Sequence, residues 1–129
     1  MCSRLLRKAN LVAGDFEKVL KRVKAGDFVY MDPPFRVKAR RVFNEYDKSI
    51  FDSDAVVRLR GWMENLANHN ISFLVSYAQS DEADLLKEGF QTEVVTVKRN
   101  IAGFSQSRTR SNELLVSFTA PTKELKVAA

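Results

Sequence analysis

Along this chain, apolar bursts of strand length alternate with stretches of helical spacing. Leu11-Val12-Ala13 reads as a short strand stopped by Gly14-Asp15. Phe16 to Lys24 follows, with Phe16, Val19, Leu20 and Val23 spaced for a helix. Asp27 to Met31 is a second short strand, and Pro33-Pro34 ends it because proline has no N–H to give a ladder. Asp52 is placed to cap a helix whose apolar stripe is Ala55, Val56, Leu59, Met63, Leu66 and Ala67, with Trp62 beside it as a core residue. Ile71 to Ser76 is a buried strand. Ser80 caps the next helix, with Asp81 and Glu82 in its first turn, Lys87 in its last and Gly89 as its stop. Gln91 to Lys98 alternates like a half-exposed strand, and Asn112 to Phe118 is the last apolar one.

This order predicts an α/β fold: parallel strands joined by right-handed crossovers, with helices on the sheet's faces. The final two strands, joined by a loop near 100–111, have no helix between them and suit an antiparallel pair. In such sheets ligands bind beyond the carboxyl ends of the strands.

The chain has 129 residues, 45% of them hydrophobic and 29% charged, which is the composition of one globular domain and not of a disordered chain. Its single cysteine, Cys2, excludes an internal disulfide and reads as a spectator. No apolar run nears the ~20 residues of a membrane span, and no secretory signal follows Arg4, Arg7 and Lys8. A cytoplasmic, membrane-free protein is expected. Net charge is +5, and its distribution is more pointed than its size. Arg36, Lys38, Arg40 and Arg41 form one basic cluster; Lys98, Arg99, Arg108 and Arg110 lie in a stretch without an acid. Both suit a polyanion, or simply a solvated surface.

The chemistry concentrates at Asp32-Pro33-Pro34-Phe35. A residue before proline is pushed into extended geometry, so Asp32 leaves the strand pointing outward. The two prolines offer carbonyl acceptors without competing donors, the carboxylate adds acceptor capacity, and Phe35 adds a stacking face. A rigid, acceptor-rich corner of this kind suits a planar ligand with an NH2 group, such as a nucleobase. The exocyclic nitrogen is a poor nucleophile while its lone pair is delocalised into the ring. Asp32 and the Pro33 carbonyl, by accepting its two hydrogens, would localise that pair. The base must first leave its stack, at a cost of a few kcal/mol, which stacking on Phe35 would partly offset.

Tyr30-Met31-Asp32-Pro33-Pro34-Phe35 resembles the catalytic motif of S-adenosylmethionine-dependent amino-methyltransferases, and the wider pattern resembles the Dam-like DNA adenine methyltransferases. Gly14-Asp15-Phe16 precedes the motif at the family's distance, and Phe43, Tyr46 and Phe51 follow it before a helix. Val75-Ser76 closes the next strand, and Lys98 to Ile101 leads through Arg108 and Arg110 to Glu113-Leu114-Leu115. The match runs from about Leu11 to Phe118.

The resemblance implies that Asp32, Pro33, Pro34 and Phe35 hold a flipped adenine. It implies that Asp15 and Phe16, with Asp32, line the S-adenosylmethionine site. It also implies that Arg36, Lys38, Arg40, Arg41, Tyr46, Arg99, Arg108 and Arg110 approach double-stranded DNA. No metal is required, since the sulfonium is already an activated methyl donor.

The family's Gly-rich Phe-x-Gly-x-Gly turn has no counterpart among Gly14, Gly26, Gly61, Gly89 and Gly103. Residues 1–120 therefore read as the C-terminal part of a methyltransferase domain, a partial Rossmann-like sheet lacking its N-terminal half, and 121–129 as a disordered tail. A complementary fragment carrying the Gly-rich turn and the target-recognition domain is the implied partner, because the Asp27–Met31 strand would otherwise show an unpaired apolar edge. Two other readings share the motif or the charge: an RNA base amino-methyltransferase, and a non-catalytic nucleic-acid-binding remnant. His69 reads as exposed and without a metal partner.

Overall fold

The computed structural model describes residues 2–34, 51–98 and 110–122. In chain order these form α1 (Cys2–Leu6), α2 (Phe16–Leu20), β1 (Phe28–Met31), α3 (Ser53–Asn68), β2 (Ser72–Ala78), α4 (Ala83–Lys87), β3 (Gln91–Lys98) and β4 (Arg110–Phe118). The strands make one four-stranded sheet in the order β1-β2-β4-β3. β1 runs parallel to β2, with Val29 opposite Phe73 and Met31 opposite Val75. β4 is antiparallel to both neighbours, pairing Val75 with Val116 and Tyr77 with Leu114. The mixed α/β sheet expected from the sequence is present, including the antiparallel strand near the end.

Period-two alternation sends Phe73, Val75, Tyr77, Leu114 and Val116 to one face of this sheet. There they pack with Val56, Leu59, Met63 and Leu66 of α3, with Ala83 and Leu86 of α4, and with Leu20 of α2. Met63 and Val75 are wholly excluded from solvent. The stripe on α3 is the one the spacing predicts, and Asp52 Oδ1 accepts from the Ala55 N–H at 2.9 Å as its cap. At the far end, Asn70 at φ 55° turns the chain out, and the Ile71 N–H returns to the Leu66 carbonyl at 2.9 Å. Gly89, at φ 78°, stops α4 as expected.

Four expectations need correction. Leu11–Ala13 forms no strand: among the described residues it pairs with none of the four strands, and Leu11 is 81% exposed. The helix predicted over Phe16–Lys24 ends at Leu20, because its last bonds tighten to i−3 (Arg22 N–H to Val19, Val23 N–H to Leu20). The helix predicted from Ser80 starts at Ala83; Ser80 Oγ instead accepts from the Ala83 N–H at 3.3 Å and closes the turn before it. Helices were expected on both faces, whereas α2, α3 and α4 all pack on the face that carries Phe73, Val75 and Tyr77. The opposite face carries Phe28 (65% exposed) and Tyr30 (58%), with half-buried Leu74 and Leu115 beside them. Helix α1 was not anticipated; its Leu5 and Leu6 are exposed, so no amphipathic pattern announces it. Cys2 begins that helix, and the end of the expected tail, 123–129, lies outside the described residues.

Candidate active site

β1 ends at buried Met31, and the next residues are Asp32, Pro33 and Pro34. Asp32 is exposed, and no described residue hydrogen-bonds its carboxylate. Its oxygens are thus available to a ligand, beyond the carboxyl end of a parallel strand. Across an open cleft of about 680 Å³ stands the turn before α2, where Gly14, Asp15 and Phe16 share the lining with Asp32, Pro33, Pro34, Phe51 and Arg58. That volume is within the range of small-molecule sites. Gly14 sits at φ 142°, a conformation in which a side chain would be strained, so the turn into Asp15 depends on it.

Asp15 is at once a helix cap and a cleft wall. Its Oδ1 accepts from the Glu17 N–H at 3.0 Å and from Arg58 Nη2 at 2.7 Å. Arg58 Nε also donates to Glu17 Oε1 at 3.1 Å, where Trp62 Nε1 arrives at 3.3 Å. The Arg58 guanidinium lies 4.8 Å from the centre of the Phe16 ring. The Arg58 bond, helped by the Glu17 N–H, holds the Asp15 carboxyl below its ordinary range; Arg58 and then Trp62 do the same for Glu17. The two carboxylates in turn raise Arg58 above the usual arginine value. Phe51 connects this wall to the sheet, its ring 6.0 Å from Phe16 and 6.5 Å from Tyr77.

Of the predicted site residues, Asp15, Phe16, Asp32, Pro33 and Pro34 come together in this cleft. Arg110 is exposed at the start of β4, opposite Lys98, the last residue of β3. Phe35, Arg36, Lys38, Arg40, Arg41, Tyr46, Arg99 and Arg108 lie outside the described residues. Sequence reasoning missed Arg58 and saw in Trp62 only a core residue. Trp62 is half-buried against the core and also bonds Glu17. The available signal was their i, i+4 spacing on α3, which puts both on one helix face. His69, exposed as expected, closes α3 with its Nδ1 2.7 Å from the Asn65 carbonyl.

The cleft fits the adenosyl end of S-adenosylmethionine: a carboxylate to accept from an amino group, an aromatic ring beside it, and apolar walls from Val29 and Leu59. Among the described residues Gly14 is the only glycine in the lining, so they supply no Gly-rich turn for the amino-acid end. An α/β sheet bearing an Asp-Pro-Pro turn at a strand end, facing a Gly-Asp-Phe turn across a cleft, defines a methyltransferase-class chain. The comparisons with known proteins make this specific: residues 2–101 match the D12 class N6 adenine-specific DNA methyltransferase family, and the chain belongs to it. It is 31% identical over 108 residues to Type II methyltransferase M1.LlaDCHI of Lactococcus lactis subsp. cremoris, covering 83% of this chain and 38% of that protein. It is 34% identical over 101 residues to Type II methyltransferase M.MjaIII of Methanocaldococcus jannaschii, covering 77% of this chain and 35% of that one. The chain thus spans little more than a third of the curated relatives it matches. No described helix is long and apolar enough to cross a membrane.

Proposed function

We propose that this chain supplies the catalytic and adenosyl-binding part of a site-specific DNA adenine-N6 methyltransferase. What carries the reading is that the Asp32-Pro33-Pro34 turn and the Asp15-Phe16 turn, 17 residues apart in the chain, line one cleft. Asp32 and the Pro33 carbonyl accept the two N6 hydrogens of an extruded adenine, Phe35 stacks on its ring, and the nitrogen lone pair is localised for attack. Asp15 and Phe16 would hold S-adenosylmethionine, which would supply a methyl group already activated by its sulfonium. As the N6–methyl bond forms, the sulfur–methyl bond would break to leave a neutral thioether, and the displaced N6 proton would pass to Asp32 or to solvent. Arg36, Lys38, Arg40, Arg41, Tyr46, Arg99, Arg108 and Arg110 meet the DNA duplex, the cations neutralising phosphates. Between the DNA and RNA readings, the family description favours DNA.

The remainder of the site comes from a complementary segment, in this polypeptide or another, carrying the Gly-rich turn and target recognition. Support for it lies in β1, which among the described residues is an edge strand with one neighbour and carries the exposed Phe28 and Tyr30 itself. The test is methyl transfer from labelled S-adenosylmethionine to duplex DNA by this chain completed with that segment. Incorporation at adenine N6 is expected. Incorporation at cytosine, or into RNA alone, would overturn the proposal.

A further inference from the structure

Arg58 touches both residues of the proposed adenosyl-binding turn, Asp15 and Phe16. It lies 43 positions from Asp15 in sequence, on α3, and is 40% exposed, as a side chain rooted outside the core would be. Glu17 holds its Nε and is itself bonded by Trp62, so the guanidinium is fixed from behind. From that fixed position Nη2 reaches Asp15, and the guanidinium carbon lies over the Phe16 ring, 4.8 Å from its centre. A guanidinium held at two edges has little freedom left, which makes it an effective clamp.

The bonding at Asp15 is asymmetric. Oδ1 takes both the Glu17 N–H and Arg58 Nη2, whereas Oδ2 has no partner among the described residues. A carboxylate saturated on one oxygen and bare on the other presents a single acceptor in a fixed direction. It can satisfy an amino group. It cannot satisfy a ring carbonyl at the same place, which would set oxygen against oxygen.

We propose that Arg58 is a positioning residue of the cleft, fixing Asp15 through Oδ1 so that Oδ2 selects a 6-aminopurine over a 6-oxopurine. The inference rests on the reading of this cleft as the adenosyl site. Ionised Asp15 is the form that accepts, and the clamp keeps it in that form.

The experiment titrates adenosine and inosine into the chain and follows its amide resonances by NMR, with the fold of each variant checked by circular dichroism. The unsubstituted chain binds adenosine more tightly than inosine. Arg58→Gln weakens adenosine about tenfold while leaving inosine nearly unchanged, so the preference collapses, and Arg58→Lys restores part of it. Glu17→Gln, which loosens the guanidinium without touching Asp15, lies between. If Arg58→Gln lowers both nucleosides equally, or leaves the preference intact, the positioning role is refuted while the adenosyl site stands. If the unsubstituted chain shows no preference for adenosine, the adenosyl-site reading falls and takes this inference with it.

Discussion

Replacing Asp32 separates the proposed chemistry from the fold more cleanly than any other change. The side chain is exposed, has no hydrogen-bond partner among the described residues, and follows the last residue of β1. Asp32→Ala therefore leaves no orphaned group and opens no cavity, and stability should stay within about 0.5 kcal/mol. Activity is another matter. Of the two acceptors assigned to the amino group, the substitution removes the charged one and leaves the Pro33 carbonyl. Removing a positioned polar group that acts mainly in the transition state costs about 10²–10³-fold in turnover, or about 2.7–4 kcal/mol. Asp32→Asn keeps one oxygen but not the charge, and belongs between the two. The assay is methyl transfer to adenine in duplex DNA by the completed protein, with urea unfolding of the chain as control. Full turnover in Asp32→Ala, with an unchanged unfolding curve, would refute the assignment of Asp32.

Other outcomes follow from the same structure. Met63→Ala, at a position wholly excluded from solvent, should cost about 2–5 kcal/mol in urea unfolding, through lost burial and a residual cavity. Asp52→Ala should cost about 1 kcal/mol by the same measurement, because the Ala55 N–H loses its cap. The lowered Asp15 and Glu17 carboxyls stabilise the fold above their ordinary values of 3.8 and 4.5, and this contribution is lost as pH falls through the lower folded values. Arg58→Met should thus destabilise the chain at pH 7 and shift acid unfolding to higher pH, with the difference vanishing once both carboxyls are protonated. On the bare sheet face, Phe28 is 65% exposed; covering that fraction of about 200 Å² of aromatic surface is worth about 3 kcal/mol. Phe28→Ala should therefore weaken docking of the proposed complementary segment about 100-fold, measurable with a polypeptide spanning the part of a curated relative outside the matched region.

What the sequence disclosed was what local chemistry decides. Asp52 caps α3 through a bond three residues long, and the stripe from Ala55 to Leu66 needs only the helical period to be recognised. The Asp-Pro-Pro turn was legible for the same reason, since proline acts on its own neighbours. Leu11–Ala13 failed because apolar character makes a strand only where the chain is brought alongside another strand's edge; β1 has such an edge, yet this segment is not paired with it, and nothing within the three residues decides that. Residues 16–24 have helical spacing throughout, yet the turn closed by Asp27, whose Oδ2 accepts from the Lys24 N–H at 2.9 Å, claims the end of the stretch. Arg58 was invisible because its partners are 41 and 43 residues away, and one arginine on a helix's exposed side resembles any solvated charge.

The missing ladder at Leu11–Ala13 changes how the site must be held together. In a fully laddered sheet, strand register would fix the distance between the two turns of the cleft. Among the described residues, backbone pairing positions only the Asp32 side, through β1 against β2. The Asp15 side is carried by side chains: Leu20 inserted in the core, the Phe16 ring against Phe51, and Arg58 on Asp15 and Glu17. Phe51 and Arg58 bracket the first turns of α3, and the buried stripe of α3 rests on the same sheet as β1. α3 is accordingly the part that sets one turn against the other. A change in its seating moves Asp15 and Phe16 relative to Asp32 without altering any residue of the Asp-Pro-Pro motif, so the spacing across the cleft is encoded in the packing of α3 as much as in the motif itself.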